Sequence, residues 1–202
     1  PPPSALTGAP TFGSMNDLGK LSQATVELWA RLVSQVAGAR LLLKARALAD
    51  AGVRARVTRR FEAAGLPADR LVLVPPTAGQ GDHLATYAQI DVALDPHPYG
   101  GTTTTCEALW MGVPVVTLAG RTHVSRVGAS LLGVLGLDAF VATDERAYVT
   151  IATTLASDPR RLAALRANLR PRVAASPLCD ARGFTAALED AFAAAYEAWR
   201  SG

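Results

Sequence analysis

The chain has 202 residues, half of them hydrophobic and 18% charged, with a net charge of +3. That composition supports a full hydrophobic core and excludes a disordered chain. The basic residues are scattered along predicted helices without a dense block, which argues against a nucleic-acid partner. No apolar run reaches membrane-spanning length and no charged-then-apolar signal opens the chain, so a soluble protein with no membrane partner is expected. Cys106 and Cys179 lie far apart and make no metal or redox spacing, which fits a reducing, cytoplasmic compartment.

In chain order, residues 1–11 are proline-rich and read as an extended linker, with something expected to precede them. Thr11-Phe12-Gly13-Ser14-Met15 is a short strand, followed by the loop Asn16 to Lys20. Ser22 caps a helix whose Val26, Trp29, Val33 and Val36 recur at helical spacing, ended by Gly38. Ala39 to Lys44 is an apolar run too short for a helix, as expected of a strand covered on both faces. Asp50 to Ala64 is an Arg-rich helix with Val53, Val57 and Phe61 on one side, stopped by Gly65 and Pro67. A third strand, Leu71 to Val74, leads into a Pro/Gly loop and a short helix through His83 and Tyr87.

Val92 to Leu94 is the fourth strand, Thr103 to Met111 a helix, and Val113 to Leu118 the fifth strand, with Pro114 tolerable only near a strand start or edge. Thr122 to Leu135 reads as one small-residue helix and Phe140 to Ala142 as a sixth strand. Helices at Asp144 to Ala156 and Pro159 to Ala174 precede a last one, Ala181 to Arg200, with Phe184, Leu188, Phe192, Ala195 and Trp199 on one stripe. Strands alternating with helices and no hairpin signal predict an α/β fold: a Rossmann-like parallel sheet with helices on both faces. Ligands bind such sheets beyond the carboxyl ends of the strands, which singles out the loops after each strand.

The most informative of these loops is Asp95 to Trp110, where strand, glycine-bearing loop and helix start follow directly. Gly100 and Gly101 would let backbone amides approach a ligand, and Thr102 to Thr105 add hydroxyls where a helix presents unpaired N–H groups, so the stretch reads as a phosphate cradle. Glu107 in the first turn can accept from a sugar diol. The structural alternative is a helix capped by its threonines. Lys20 is a candidate phosphate cation, against an ordinary exposed loop lysine, and His83 a candidate base-stacking ring, against a solvated helix-start histidine. His97 and His123 have no metal-ligand spacing. Walker, dinucleotide-binding and Gly-x-Ser-x-Gly signatures are missing, as is an Asp-x-Asp pair for a divalent ion, so no metal or other cofactor is expected.

These residues form an ordered set: Phe12 to Asn16 with Lys20; Asp91 to Asp95; Gly101 to Thr104 with Glu107 and Leu109 to Thr117; Ser125 to Ser130; and Ser176-Pro177-Leu178. Over nearly its whole length the chain resembles the carboxyl-terminal half of the glycosyltransferases that include protein O-GlcNAc transferase and the plant SPINDLY proteins. The resemblance implies one lobe, over residues 12–202, of a metal-independent fold of the GT-B type. Such enzymes transfer a sugar, usually N-acetylglucosamine, from UDP to Ser or Thr of an acceptor protein with inversion; SPINDLY-type relatives use GDP-fucose. On this likeness Lys20 stabilises the diphosphate leaving group, Thr103 and Thr104 hold the pyrophosphate beside Thr102, Glu107 binds the ribose, Ala78 reads the base through its backbone, and His83 stacks on it.

Three positions depart from protein O-GlcNAc transferase: Asp17 replaces a glutamine, Thr102 a histidine and Thr86 an arginine. The amino-terminal lobe and the helical repeats that commonly precede it are absent, so this stretch alone is expected to bind UDP or a UDP-sugar without turnover. The alternatives are a degenerate nucleotide-binding or scaffolding module, a GDP-sugar-using relative, and a sugar-nucleotide epimerase, for which no extra acid/base set is visible.

Overall fold

The computed structural model describes all 202 residues. Six strands, β1 (Thr11–Ser14), β2 (Arg40–Lys44), β3 (Leu71–Val74), β4 (Val92–Leu94), β5 (Val115–Leu118) and β6 (Val141–Ala142), form one sheet in the order β3-β2-β1-β4-β5-β6. Every neighbouring pair is parallel, and Phe12 faces Leu41 on one side and Val92 on the other. The strand order reverses between β1 and β4, which puts the switch point where the Asn16 and Asp95 loops emerge. The helices are α1 (Ser4–Thr7), α2 (Gln23–Ser34), α3 (Ala51–Ala63), α4 (Gln80–Ala85), α5 (Thr103–Trp110), α6 (Val127–Val134), α7 (Glu145–Ala156), α8 (Pro159–Ala174) and α9 (Ala181–Ser201). This is a Rossmann-like lobe with helices on both faces of the sheet.

Local chemistry explains most of these elements. Leu41, Leu42 and Leu43 are all buried in succession, so both faces of β2 are covered and the run has no polar alternation. Val26, Trp29, Leu32 and Val33 put the apolar side of α2 into the core, where Trp29 Nε1 donates to Tyr148 Oη at 3.2 Å. The starts of α2, α3, α7, α8 and α9 are each closed by a side chain, Ser22, Asp50, Asp144, Asp158 and Asp180. Pro114 lies just before β5, an interior strand, where its carbonyl accepts from Ala93 N at 2.8 Å and its missing N–H costs nothing.

Two expectations change. The first residues are not extended: α1 is a helical turn because the fully buried Asp91 carboxylate draws in Ser4 N at 3.1 Å, Ser4 Oγ at 2.7 Å and Thr11 N at 2.8 Å. The helix expected from Thr122 to Leu135 is divided. Thr122 and Ser125 close a reciprocal capping box around a 3-10 turn, and α6 begins only at Val127. The apolar stripe of α9 is left uncovered, because the helix buries no residue at all: Phe184, Phe192, Tyr196 and Trp199 are 67%, 66%, 57% and 77% exposed. No helix is long and apolar enough to cross a membrane.

Candidate nucleotide-binding site

The loops after β1 and β4 meet at the switch point. Asp17 accepts from Gly19 N at 2.7 Å and starts a 3-10 turn that aims Lys20 across the sheet edge. The Lys20 ammonium donates to Gly100 O at 2.9 Å and reaches Asn16 Oδ1 at 3.4 Å, lying 4.3 Å from the Tyr99 ring centroid. Asn16 Oδ1 also accepts from Thr104 Oγ1 at 2.9 Å. One amide oxygen therefore ties the lysine of the first loop to the start of α5.

That helix start is open. Thr102 makes no side-chain cap, so the reading of the threonines as caps fails here. Thr102 and Thr103 are exposed, with hydroxyls that make no hydrogen bond, and no side chain caps the first-turn amides of α5 at the positive end of the helix dipole. Thr104 differs, since its hydroxyl proton is engaged by Asn16.

The expectation that Gly100 and Gly101 offer their amides to a ligand is overturned. Gly100 N donates to Val124 O at 3.1 Å and Gly101 N to Asp95 Oδ1 at 2.6 Å. These positions are glycine because of packing: a Cβ on Gly100 would lie 2.8 Å from Asp95 Oδ2, and one on Gly101 would meet the Thr104 and Thr105 hydroxyls and Asn16. Asp95 thus organises the cradle from beneath, accepting also from Thr117 Oγ1 at 2.8 Å while Tyr148 Oη donates to its carbonyl at 3.1 Å. Burial pushes its carboxyl up to about 6, against the Gly101 amide, the Thr117 hydroxyl and Lys20, which favour the charged form.

On the other flank, His83 of α4 and Glu107 of α5 come together, Nε2 to Oε2 at 3.2 Å. The single Tyr87 hydroxyl proton is shared between the same oxygen, at 3.3 Å, and Thr104 O, at 3.1 Å, leaving Glu107 Oε1 without a protein partner. Burial and this carboxylate push the Tyr87 phenol far up, so it remains a donor. Ala78 is exposed in the loop after β3, and neither its N–H nor its carbonyl is bonded within the protein. A cleft of about 290 Å³ runs beside it, lined by Met15, Lys44, Pro76, Thr77 and His83 among others.

The fold therefore gathers Lys20, Thr102, Thr103, Thr104, Glu107, His83 and Ala78 on one sheet edge. Sequence reasoning missed Asn16, Tyr87, Asp95 and Lys44 as site residues. Asn16 and Asp95 stood in motifs without a role, whereas nothing in the local pattern of Tyr87 marks it. The backbone carbonyl at His97 accepts from Ser22 Oγ at 2.9 Å and Thr25 Oγ1 at 2.6 Å, and the His97 ring Nδ1 lies 3.3 Å from Leu118 O. No group of three or more His, Cys, Asp or Glu side chains is arranged to hold a metal ion.

The model of glycosyl transferase family 41 matches residues 6–188. A probable UDP-N-acetylglucosamine–peptide N-acetylglucosaminyltransferase SPINDLY from Petunia hybrida is 43% identical over 95% of this chain, and a peptide N-acetylglucosaminyltransferase from Caenorhabditis elegans 30% over 95%. The chain spans about a fifth of the curated SPINDLY relatives it matches, 21% for the Petunia protein. Among solved structures, a mutant O-GlcNAc transferase of Thermobaculum terrenum superposes with a TM-score of 0.87 at 43% identity, over 92% of this chain and 35% of that one. Sucrose-phosphate synthase of Thermosynechococcus elongatus shares the fold at a TM-score of 0.64 and 19% identity, over 95% of this chain and 49% of that one.

Proposed function

This chain belongs to glycosyl transferase family 41, and from that premise we propose that residues 12–202 are the donor-binding lobe of a longer, metal-independent inverting glycosyltransferase. The donor is a nucleotide sugar, UDP-N-acetylglucosamine in the first instance, and the acceptor a Ser or Thr of a protein. The observation that carries this reading is the uncapped start of α5 with Lys20 beside it, joined through Asn16. A diphosphate there would meet first-turn amides, the Thr102 and Thr103 hydroxyls and one ammonium, which together offset its charge without a divalent ion. As the glycosidic bond breaks, negative charge grows on the diphosphate, so Lys20 and the helix end stabilise the transition state more than the bound donor.

The ribose would lie against the free oxygen of Glu107, with the base over His83 and along the unbonded backbone at Ala78. Binding a base over the ring requires His83 to keep or exchange its contact with Glu107. Acceptor contacts belong to an amino-terminal lobe across the cleft, so this stretch alone binds donor without transfer. Residues 1–11 lead into the lobe, and the two free cysteines suit a reducing, cytoplasmic compartment. Titration with UDP, GDP and UDP-sugars tests the reading. Saturable binding of a nucleotide diphosphate supports it, and absence of binding to all of them would leave a scaffolding module.

A further inference from the structure

Lys44 ends β2 on the same carboxyl edge, yet it is 3% exposed and belongs to no ion pair. Its ammonium donates to Thr77 Oγ1 at 3.0 Å and to Thr86 Oγ1 at 2.9 Å. Thr86 gives its own proton to Asp82 O at 3.1 Å, so its oxygen is fixed as the acceptor. An ammonium has three N–H donors, and the protein supplies two acceptors. The residue lines the cleft of about 290 Å³ that His83 and Thr77 also border. Burial holds its pKa below the ordinary lysine value, with Asp82 and Glu107 opposing that shift. For packing alone, an apolar side chain at the end of this apolar strand would avoid that desolvation.

Topology says which part of a nucleotide would meet it. The diphosphate donors follow β1 and β4, at the switch point, whereas Lys44 ends β2 and Thr77 follows β3, the two strands outward from β1. A nucleotide lying along this edge with its diphosphate at α5 extends its base towards β2 and β3. The unbonded backbone at Ala78 and the His83 ring lie on that same side.

We propose that Lys44 is a specificity-determining residue that donates its remaining N–H to an exocyclic carbonyl of the nucleobase, selecting keto bases (uracil or guanine) over amino bases (cytosine or adenine). The inference rests on the donor-lobe reading above. A keto oxygen completes the donor set of the ammonium, whereas an exocyclic amino group sets donor against donor in a buried place, an arrangement that discriminates strongly.

Calorimetric titration of the whole chain tests this with UDP, CDP, GDP, ADP, uridine and the diphosphate of pyrimidin-2-one riboside, which lacks the 4-carbonyl. The wild type should bind UDP about tenfold or more tighter than CDP or the 2-pyrimidinone analogue, or GDP over ADP by as much. Which of UDP and GDP binds tighter identifies the keto base. Lys44→Met should bring these ratios to within about threefold and weaken uridine as much as UDP, and Lys44→Arg should restore the keto preference. If UDP is the tighter of the two keto nucleotides, equal binding of UDP and its 2-pyrimidinone analogue by the wild type overturns the proposal even if no variant folds; if GDP is the tighter, equal binding of GDP and ADP does so. An unchanged ratio in Lys44→Met also overturns it, and a loss for UDP that spares uridine makes Lys44 a phosphate contact instead. Failure of the wild type to bind any nucleotide would bring down the donor-lobe reading itself.

Discussion

Asp95 is the residue on which the cradle's geometry depends. Because its folded carboxyl titrates near 6, above its ordinary value of 3.8, the folded state holds the proton more tightly than the unfolded chain does between those values. Stability from this group is therefore fully present below about pH 3.8 and is lost as pH rises through about 6. Asp95→Asn keeps an acceptor for Gly101 N and a partner for Thr117, so the difference in urea stability between variant and wild type should shift in the variant's favour from pH 4 to pH 7. A constant difference across that range would mean that Asp95 does not titrate there. Lys20 and His83 separate by ligand. Lys20→Ala should weaken UDP by about 10- to 100-fold but uridine little, since a hydrogen bond to a charged group contributes roughly 1.5–3 kcal/mol. His83→Ala should weaken both alike, because stacking acts on the base they share. Equal losses of UDP and uridine in the lysine variant would remove Lys20 from the phosphate.

Among the elements, α5 and α9 show opposite uses of a helix. The first leaves its start open at the switch point, and its body is anchored by buried Thr105, Ala108 and Leu109. The second satisfies its start with Asp180, which accepts from Gly183 N at 2.9 Å, but buries none of its residues and carries Phe184, Leu188, Phe192, Tyr196 and Trp199 in the open. Since α9 buries no side chain, ending the chain at Asp180 should leave the melting temperature within about 1–2 °C, where a lost kcal/mol would shift it by roughly 2–4 °C. The intact chain should self-associate weakly with concentration and the shortened one should not, because an apolar stripe of this size favours association. Sedimentation velocity on both chains checks this, and a loss of thermal stability on shortening would show that α9 packs on the lobe in solution. In a two-lobed enzyme the same stripe would be covered by the amino-terminal lobe, which should then suppress self-association when added.

For the whole molecule, the donor-lobe reading requires that UDP bind only the folded chain and raise its melting temperature, by an amount that grows with ligand concentration. Magnesium or manganese should add nothing to the shift, because amides, hydroxyls and Lys20 carry the diphosphate charge; a shift that appears only with a divalent ion would remove the cradle from this role. The six strands, the longer helices and the parallel sheet were legible in the sequence, because periodicity, caps and turn residues act between near neighbours, whereas the α1 turn and the break before α6 were not. The apolar run of β2 and the Ser22 cap needed no partner to be read. Membership of the glycosyltransferase family was legible too, since it lies in spaced residues such as Gly101 to Glu107. What each polar group does was not legible, because it depends on partners brought together only by the tertiary fold. Asn16 meets Thr104 across 88 residues, and Lys44 meets Thr86 across 42. Gly101 shows the consequence: from the sequence its amide is a free donor, and only the folded position of Asp95 decides that it is already bonded. The stripe of α9 was readable in the same way, since a hydrophobic periodicity states which face seeks cover, and only the tertiary structure decides how much of that face this chain leaves in the open.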